Sequence, residues 1–313
     1  MRVLFAGNKG RGVVCLQALL TSGYNIVSVL AHPSPEKSVT PGSVAEAALQ
    51  MGLPLLQPAN VNAPEVITSL HELAPDLIVL AGYGQIVKQA FINMASLGCI
   101  NLHGGKLPQY RGSSPMNWAL LNGEREFGIS IIQVESGVDT GDVLNERMFP
   151  ISLEDTIVDI QRIANREFPK MLLEVVAQIK AGTLQPRKQD ETQAAYYPLR
   201  FPDDGLILWD IYTAEQIHNR VRALADPYPG AFTFFKGQRV NLLASQLAQR
   251  TYYGEPGRVY LTKRTGLLVC ALDRCLWIQR AVIEANQDDA FQVIRRYEKF
   301  ATARDMALEN GKL

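Results

Sequence analysis

Short runs rich in Val, Ile and Leu alternate with segments of helical period along the first half of the chain, which is the pattern of a parallel sheet covered by helices on both faces. Strands are expected at about 2–6, 26–31, 54–57, 76–82, 98–103 and 128–134, and helices after Gly12, over about 43–51 and 64–73, and from near Lys88 and Pro115. The fold class is α/β, a doubly wound, Rossmann-like, mostly parallel sheet. In such sheets ligands sit beyond the carboxyl ends of strands, where loops lead into helices, and His103 falls at one of those ends.

At 313 residues the chain exceeds what one core usually serves, so a second domain is expected. A strand-like piece at about 142–149 precedes a helix-period segment at 154–181, closed by Gly182. The polar, turn-rich stretch that follows divides the chain into a catalytic domain over 1–190, a linker over 191–204 and a C-terminal domain over 205–313. In the last part, a strand signal at Gly205–Asp210 and a helix over about 213–224 lead into short strands near 231–235, 238–245, 257–261, 266–271 and 275–283. These suggest a small, OB-like β-barrel closed by a terminal helix at about 288–308.

Lys and Arg number 31, as do Asp and Glu, so the net charge is zero and electrostatics give no support for nucleic acid or an anionic membrane as partner. No apolar run approaches the roughly 18 residues of a membrane helix, and Met1–Ala6 reads as a first strand instead of a signal peptide, so a cytoplasmic location is expected. Cys15, Cys99, Cys270 and Cys275 lack metal-site spacing and are expected to be reduced thiols. No metal is implied, because neither His103 nor Asp139 sits in ligand spacing.

The stretch Asn101-Leu102-His103-Gly104-Gly105-Lys106-Leu107-Pro108-Gln109-Tyr110-Arg111-Gly112, answered by Gly137-Val138-Asp139-Thr140-Gly141, carries the equipment of acyl transfer. Asn101 and His103 are two residues apart on one strand end, so their side chains share a face. An amide NH2 aimed at a developing oxyanion, an imidazole able to take a proton near neutral pH and a carboxylate to orient it have three distinct jobs. Taken singly, a histidine after a strand is more often structural and an Asp in a glycine-rich turn is more often an Asx-turn residue; their joint occurrence reverses that. The loop Gly7–Gly12 is neither a P-loop nor a dinucleotide fingerprint. Two readings of it stand: an anion site at a helix N-terminus, or a glycine turn that lets helix pack on strand.

The block from Cys99 to Gly112, followed by Ser113-Ser114-Pro115, resembles the active-site segment of the folate-dependent formyltransferases. Gly123-Glu124, Gly128-Ile129-Ser130 and Gly137–Gly141 resemble that family's second signature, and the likeness extends over nearly the whole chain. It implies 10-formyltetrahydrofolate as donor and an amine as acceptor, with Asn101, His103 and Asp139 as the catalytic residues. It also implies a pterin-binding loop at Gly82–Ile86, so the cofactor-binding candidates are Tyr83, Gly84, Gln85 and Ile86 with Gly137, Val138 and Asp139. Lys9, Arg11, Lys106, Arg111 and Ser113 are the acceptor-binding candidates, Arg111 being equally readable as an anchor of its loop.

Two branches of that family share this architecture: methionyl-tRNA formyltransferases and nucleotide-sugar N-formyltransferases serving surface polysaccharide such as O-antigen. The tRNA branch carries a long basic loop after the second strand, whereas His32–Pro41 here is short with one lysine. The segments Phe201–Trp209 and Ile217–Phe232 resemble the transformylase domain acting on UDP-4-amino-4-deoxy-arabinose, although Ser113 stands where that enzyme has arginine and the chain ends at Leu313 without its fused dehydrogenase domain. The expectation is therefore a nucleotide-linked amino sugar (UDP, GDP or dTDP) as acceptor, with methionyl-tRNA as the alternative. A folate or nucleotide-sugar binding protein and a formyltetrahydrofolate hydrolase are the remaining readings; binding alone needs no base, and the hydrolase's regulatory domain has no counterpart here. Trp209, His218 and Asn219 are expected to pack between domains. The β-rich second domain offers a surface for a homodimer.

Overall fold

The computed structural model describes residues 1–33 and 42–309, so most of the short loop weighed above against the tRNA branch lies outside the described residues. The chain divides into two compact units: Met1–Pro115, Glu126–Pro150 and Gln161–Pro198 form the first, and Met116–Arg125, Ile151–Ile160 and Leu199–Leu313 the second. Two short stretches from within the expected catalytic domain thus belong to the second unit. The reason is hydrogen bonding: Asn117 Nδ2 donates to the Ala223 carbonyl (2.8 Å), and Arg222 donates to the carbonyls of Ser152 (3.1 Å) and Asp155 (3.0 Å).

The first unit runs β1 (Arg2–Gly7), α1 (Lys9–Thr21), β2 (Asn25–Leu30), α2 (Val44–Gln50), β3 (Leu55–Leu56), α3 (Pro64–Glu72), β4 (Leu77–Ala81), α4 (Gln89–Ile92), β5 (Cys99–His103) and β6 (Arg111–Gly112). After α5 (Pro115–Leu121), which from Met116 on belongs to the second unit, come β7 (Glu126–Gln133), β8 (Val143–Pro150), the long α6 (Ile157–Ala181), which joins the first unit from Gln161, and β9 (Tyr196–Tyr197). Seven strands form one sheet in the order β3-β2-β1-β4-β5-β7-β8, parallel through β5 and antiparallel at β7 and β8. β1 and β4 are buried almost throughout, as strands covered on both faces must be. α6 turns Ile157, Ile160, Ala164, Phe168, Met171, Leu172 and Val175 inward at helical spacing.

The helix expected after Gly12 starts earlier, at Lys9, because Asn8 caps it by accepting from the Lys9 N–H (2.7 Å). Gly12 lies inside that helix, where a Cβ would stand 2.6 Å from a Val44 methyl, so its smallness serves close helix packing.

The second unit contains α7 (Ala214–Ala223), β10 (Ala231–Phe235), β11 (Gln238–Leu247), β12 (Val259–Lys263), β13 (Gly266–Cys270), β14 (Cys275–Ile283), α8 (Ala290–Val293) and α9 (Ala303–Glu309). Its five strands are ordered β10-β11-β14-β13-β12. The expected continuous terminal helix is absent from the described residues. Instead the stretch between α8 and α9 hydrogen-bonds to both sheet edges: Tyr297 N–H to the Val259 carbonyl (2.7 Å), Phe300 N–H to that of Gly257 (2.9 Å), and Ala301 N–H to that of Phe234 (2.8 Å). This extended segment bridges β12 and β10 where a closed barrel would need another strand. The expected strand at Gly205–Asp210 is likewise a 3-10 turn (Pro202–Gly205) followed by a short parallel bridge from Leu206 to Phe232.

Trp209 packs within the C-terminal stretch, whereas His218 and Asn219 lie against Leu153 and Gly123, residues of the span 1–190 that cluster with the second unit. Trp209 is fully buried, donates to Thr233 Oγ1 (2.9 Å) and stacks on Phe300. Cys270 and Cys275 also depart from expectation: the β13–β14 hairpin makes them direct cross-strand partners, and they form a disulfide. Cys15 and Cys99 are buried free thiols, and burial pushes Cys15 up to about 12.

His218 donates from Nε2 to the Leu153 carbonyl (2.8 Å) and accepts at Nδ1 from the Ser245 hydroxyl (2.9 Å). Burial lowers its pKa below 6.5, so the folded unit resists a proton that the unfolded chain takes up. Its effect on stability is therefore nil above about pH 6.5 and increasingly unfavourable as pH falls toward the folded-state value, at up to about 1.4 kcal/mol per pH unit. Thermal melting between pH 8 and pH 5 should show this loss, and His218→Gln should flatten that part of the curve relative to the wild type.

Candidate functional site

The parallel register sets Gly7 beside Ala81, and Leu80 beside Asn101. The carboxyl ends of β1, β4 and β5 therefore open on one edge of the sheet, and the loops after them emerge together. Asn101 and His103 stand at that edge on the same face of β5, with His103 only 5% exposed.

The turn after β7 brings Asp139 to them. Its carboxylate lies 3.4 Å from His103 Nδ1, accepts from Asn101 Nδ2 at 3.5 Å and accepts from the Gly112 N–H at 2.9 Å. His103 Nε2 donates to the Tyr110 carbonyl at 2.6 Å, which commits that nitrogen and leaves Nδ1 on the Asp139 side. Gly105 makes this possible, since a Cβ there would stand 2.6 Å from the Tyr110 oxygen and 2.8 Å from His103 Nε2. The three side chains named from sequence are thus within reach of one another.

Asp139 has a left-handed backbone (φ 52°), an uncommon conformation for a residue with a side chain. Gln189 holds it there: its Nε2 donates to the carbonyls of Asp139 (2.8 Å) and Gly141 (2.6 Å). The same Gln189 accepts at Oε1 from Arg111 Nε and Nη2 (3.1 and 2.9 Å). Arg111 is fully buried, and it also donates to Glu191 (2.5 and 2.9 Å) and to Tyr196 Oη (2.8 Å). The hydrogen bond to Glu191, ahead of the partly opposing cost of burial, holds its pKa above the ordinary arginine value. With its guanidinium engaged by Gln189, Glu191 and Tyr196, Arg111 ties its loop to residues 189–196. Neither Gln189 nor Tyr110 was a site candidate from sequence: Gln189 lies outside the motifs and acts through its amide, and Tyr110, although within the motif, acts through its backbone carbonyl.

The loop after β4 is built around His32, whose ring stacks on Tyr83 (4.9 Å) and whose Nε2 accepts from the Gly84 N–H (3.0 Å). The Gln85 side chain is spent internally, accepting from the Val61 N–H and donating to the Pro58 carbonyl, so of the expected contacts it offers its backbone only. Burial pushes the Tyr83 phenol up to about 12, and its Oη is buried without a hydrogen-bond partner. Ile86 and Val138 present apolar side chains to solvent, 83% and 56% exposed. Of the remaining acceptor candidates, Lys9 opens α1, Arg11 lies over the Phe168 ring (4.6 Å), Lys106 pairs with Glu126 (3.7 Å), and Ser113 follows β6 with its N–H on the Tyr197 carbonyl (2.9 Å). No group of three or more His, Cys, Asp or Glu among the described residues is placed to hold a metal ion, and no described helix is long and apolar enough to cross a membrane.

An amide, an imidazole and a carboxylate brought together at the ligand edge of a doubly wound sheet are groups suited to acyl transfer. Residues 2–176 match the formyl transferase family and residues 201–291 the formyl transferase C-terminal domain, so the chain belongs to the formyl transferase family and is a formyltransferase. It is 34% identical over 291 residues to a methionyl-tRNA formyltransferase of Desulfotalea psychrophila, covering 92% of this chain and 90% of that one. In fold it is similar to an N-formyltransferase from Helicobacter canadensis solved with folinic acid and dTDP-3-aminofucose (TM-score 0.69, 18% identity, 88% of this chain and 98% of that one). A methionyl-tRNA formyltransferase from Clostridium thermocellum is also similar (TM-score 0.57, 18% identity, 79% and 94% covered).

Two outcomes are expected. His103→Ala should abolish turnover while leaving folate binding, measured by fluorescence titration, within a few fold. Gln189→Ala should lower kcat by roughly 10²-fold with little change in KM, because it loosens the turn that carries Asp139.

Proposed function

We propose that the protein transfers a formyl group from 10-formyltetrahydrofolate to the amine of methionyl-tRNA. The observation that carries the acceptor is the 34% identity to methionyl-tRNA formyltransferases across about nine-tenths of both chains. The second unit adds a cavity of about 440 Å³ lined by Gln246, Arg250, Tyr252, Lys263 and Trp277, with Lys263 Nζ 5.0 Å over the Trp277 ring, a mixture of cations and aromatic faces suited to nucleic acid.

The donor, when bound, supplies the formyl carbon and a nitrogen leaving group. The exposed Ile86 and Val138 suit a flat heterocycle held between the loops after β4 and β7, and the unpartnered Tyr83 Oη is a polar atom that such a ligand could satisfy. Asn101 has a second amide N–H for the oxygen of the tetrahedral intermediate, an interaction worth about 3 kcal/mol in comparable sites. His103 takes the proton from the attacking nitrogen at Nδ1, since Nε2 is tied to Tyr110. Asp139, on the Nδ1 side, then balances the imidazolium.

A nucleotide-linked amino sugar is the second reading, favoured by the zero net charge and by the single lysine in His32–Pro41. The fold neighbour from Helicobacter canadensis, solved with such a sugar, gives that reading a precedent. Mass spectrometry of initiator methionyl-tRNA and of a panel of UDP-, GDP- and dTDP-linked 3- and 4-amino sugars, each incubated with enzyme and donor, separates the two. Formylated tRNA is expected, with a KM that rises steeply between about 50 and 200 mM salt as phosphate contacts are screened; modification of a sugar with none of the tRNA would replace the first reading by the second.

A further inference from the structure

Three residues in register lie side by side across the antiparallel end of the first unit's sheet: His103 on β5 pairs with Ser130 on β7, and Ser130 pairs with Glu146 on β8. Residues directly opposite on antiparallel strands point to the same face, so Ser130 and Glu146 share the face of His103. Ser130 is fully buried, and the Glu146 side chain is 21% exposed. Polar groups so enclosed need partners, and both find them in the loop that follows His103. The Ser130 hydroxyl donates to the Gly105 carbonyl at 2.8 Å and lies 3.1 Å from Glu146 Oε1, and that oxygen accepts from the Leu107 N–H at 3.0 Å. Gly128, two residues before Ser130, leaves room for this approach, since a Cβ there would stand 2.8 Å from the Lys106 Cα.

The loop carries these contacts to the imidazole. The Tyr110 N–H donates to the Lys106 carbonyl at 2.8 Å, and the Tyr110 carbonyl accepts from His103 Nε2 at 2.6 Å. Gly105 and Leu107, held by Ser130 and Glu146, flank the residue that closes this turn. Burial of the Leu107 side chain with Ile132 and Val143 keeps the loop on the sheet, but apolar burial has no direction. Hydrogen bonds set where the Tyr110 carbonyl points, and that carbonyl keeps a proton on Nε2 and leaves Nδ1, on the Asp139 side, to take one. Glu146 also reaches the other half of the site. Its Oε2 accepts from Arg187 Nη2 at 3.0 Å, and Arg187 stands two residues before Gln189, which is tied to the Asp139 turn.

We infer that Ser130 and Glu146 are positioning residues that fix the tautomer of His103 and, through Arg187, its alignment with Asp139. This rests on the reading of His103 as the proton acceptor. Neither residue touches the reacting atoms.

The test reads the tautomer directly, by nitrogen NMR of the full chain labelled in its histidines, at about pH 8.5 where an imidazole is neutral and with neither donor nor acceptor present. The His103 signals are those missing from His103→Gln. In the wild type, Nε2 should carry the proton and Nδ1 none. Ser130→Ala and Glu146→Gln should each move both nitrogens toward a mixture of tautomers, and each should lower kcat for methionyl-tRNA at least about tenfold with KM within about twofold. Gln offers one acceptor oxygen where Glu146 uses two, and it keeps the side-chain shape, so this variant carries both readouts even if Ser130→Ala fails to fold. Ile131→Val, beside Ser130 on β7 and turned to the other face, controls for general loosening of the strand and should keep the wild-type tautomer and kcat. A wild-type tautomer in every variant that folds would overturn the inference. So would a fall in kcat with the tautomer unchanged, because that result assigns the pair to packing alone. A wild type that shows the expected tautomer but formylates no tRNA would count against the proposed acceptor and leave the NMR result standing.

Discussion

The carboxylate of Asp139 is the piece on which the site depends. A doubly wound sheet delivers Asn101 and His103 to a strand end by register alone, but no strand delivers Asp139. It sits on a turn in a backbone conformation that its own side chain disfavours, and it stays there because Gln189 ties down two carbonyls of that turn. Arg111 in turn fixes Gln189, so a residue eight positions after His103 in the motif reaches Asp139 through a side chain fifty positions beyond that carboxylate. The chemistry is local, but its geometry is held from a distance.

What could be read from the chain follows from what leaves a periodic or local trace. The buried parallel strands read as apolar runs, and α6 reads as a stripe of Ile, Phe, Met and Leu, because burial on a sheet or helix repeats at a fixed spacing. Asn101, His103 and Asp139 could be singled out because an amide, an imidazole and a carboxylate stand in two short glycine-rich segments, and the structure brings the three within reach of one another. Gln189 and His32 were not, since each works through one contact made by the fold and not by its neighbours in sequence. Residues 297–301 failed the helix expectation for a related reason: their backbone found partners on two sheet edges, and long-range pairing of that kind overrides local propensity. Cys270 and Cys275 were misjudged because four intervening residues looked arbitrary until a hairpin made them opposite each other.

Arg111 and Arg220 illustrate how burial sorts arginines that sequence cannot tell apart. Each lies over a tyrosine ring, but Arg111 has a carboxylate, an amide and a phenol to receive its donors. A desolvated cation needs such acceptors, and the ones provided for Arg111 explain why a glycine-flanked motif residue belongs to the scaffold.

The bridging of β10 and β12 by residues 297–301 bears on how the protein is made. As the chain leaves the ribosome, the five strands of the small unit emerge well before the segment that joins their edges, and the stretches 116–125 and 151–160 that belong to the same unit emerge long before either. Early-made pieces must therefore wait for late-made ones, and both strand edges stay open for pairing with foreign chains until nearly the last turn of synthesis. The small unit is therefore assembled from three separate stretches of chain, and the folding of its sheet depends on pieces made at both ends of the synthesis.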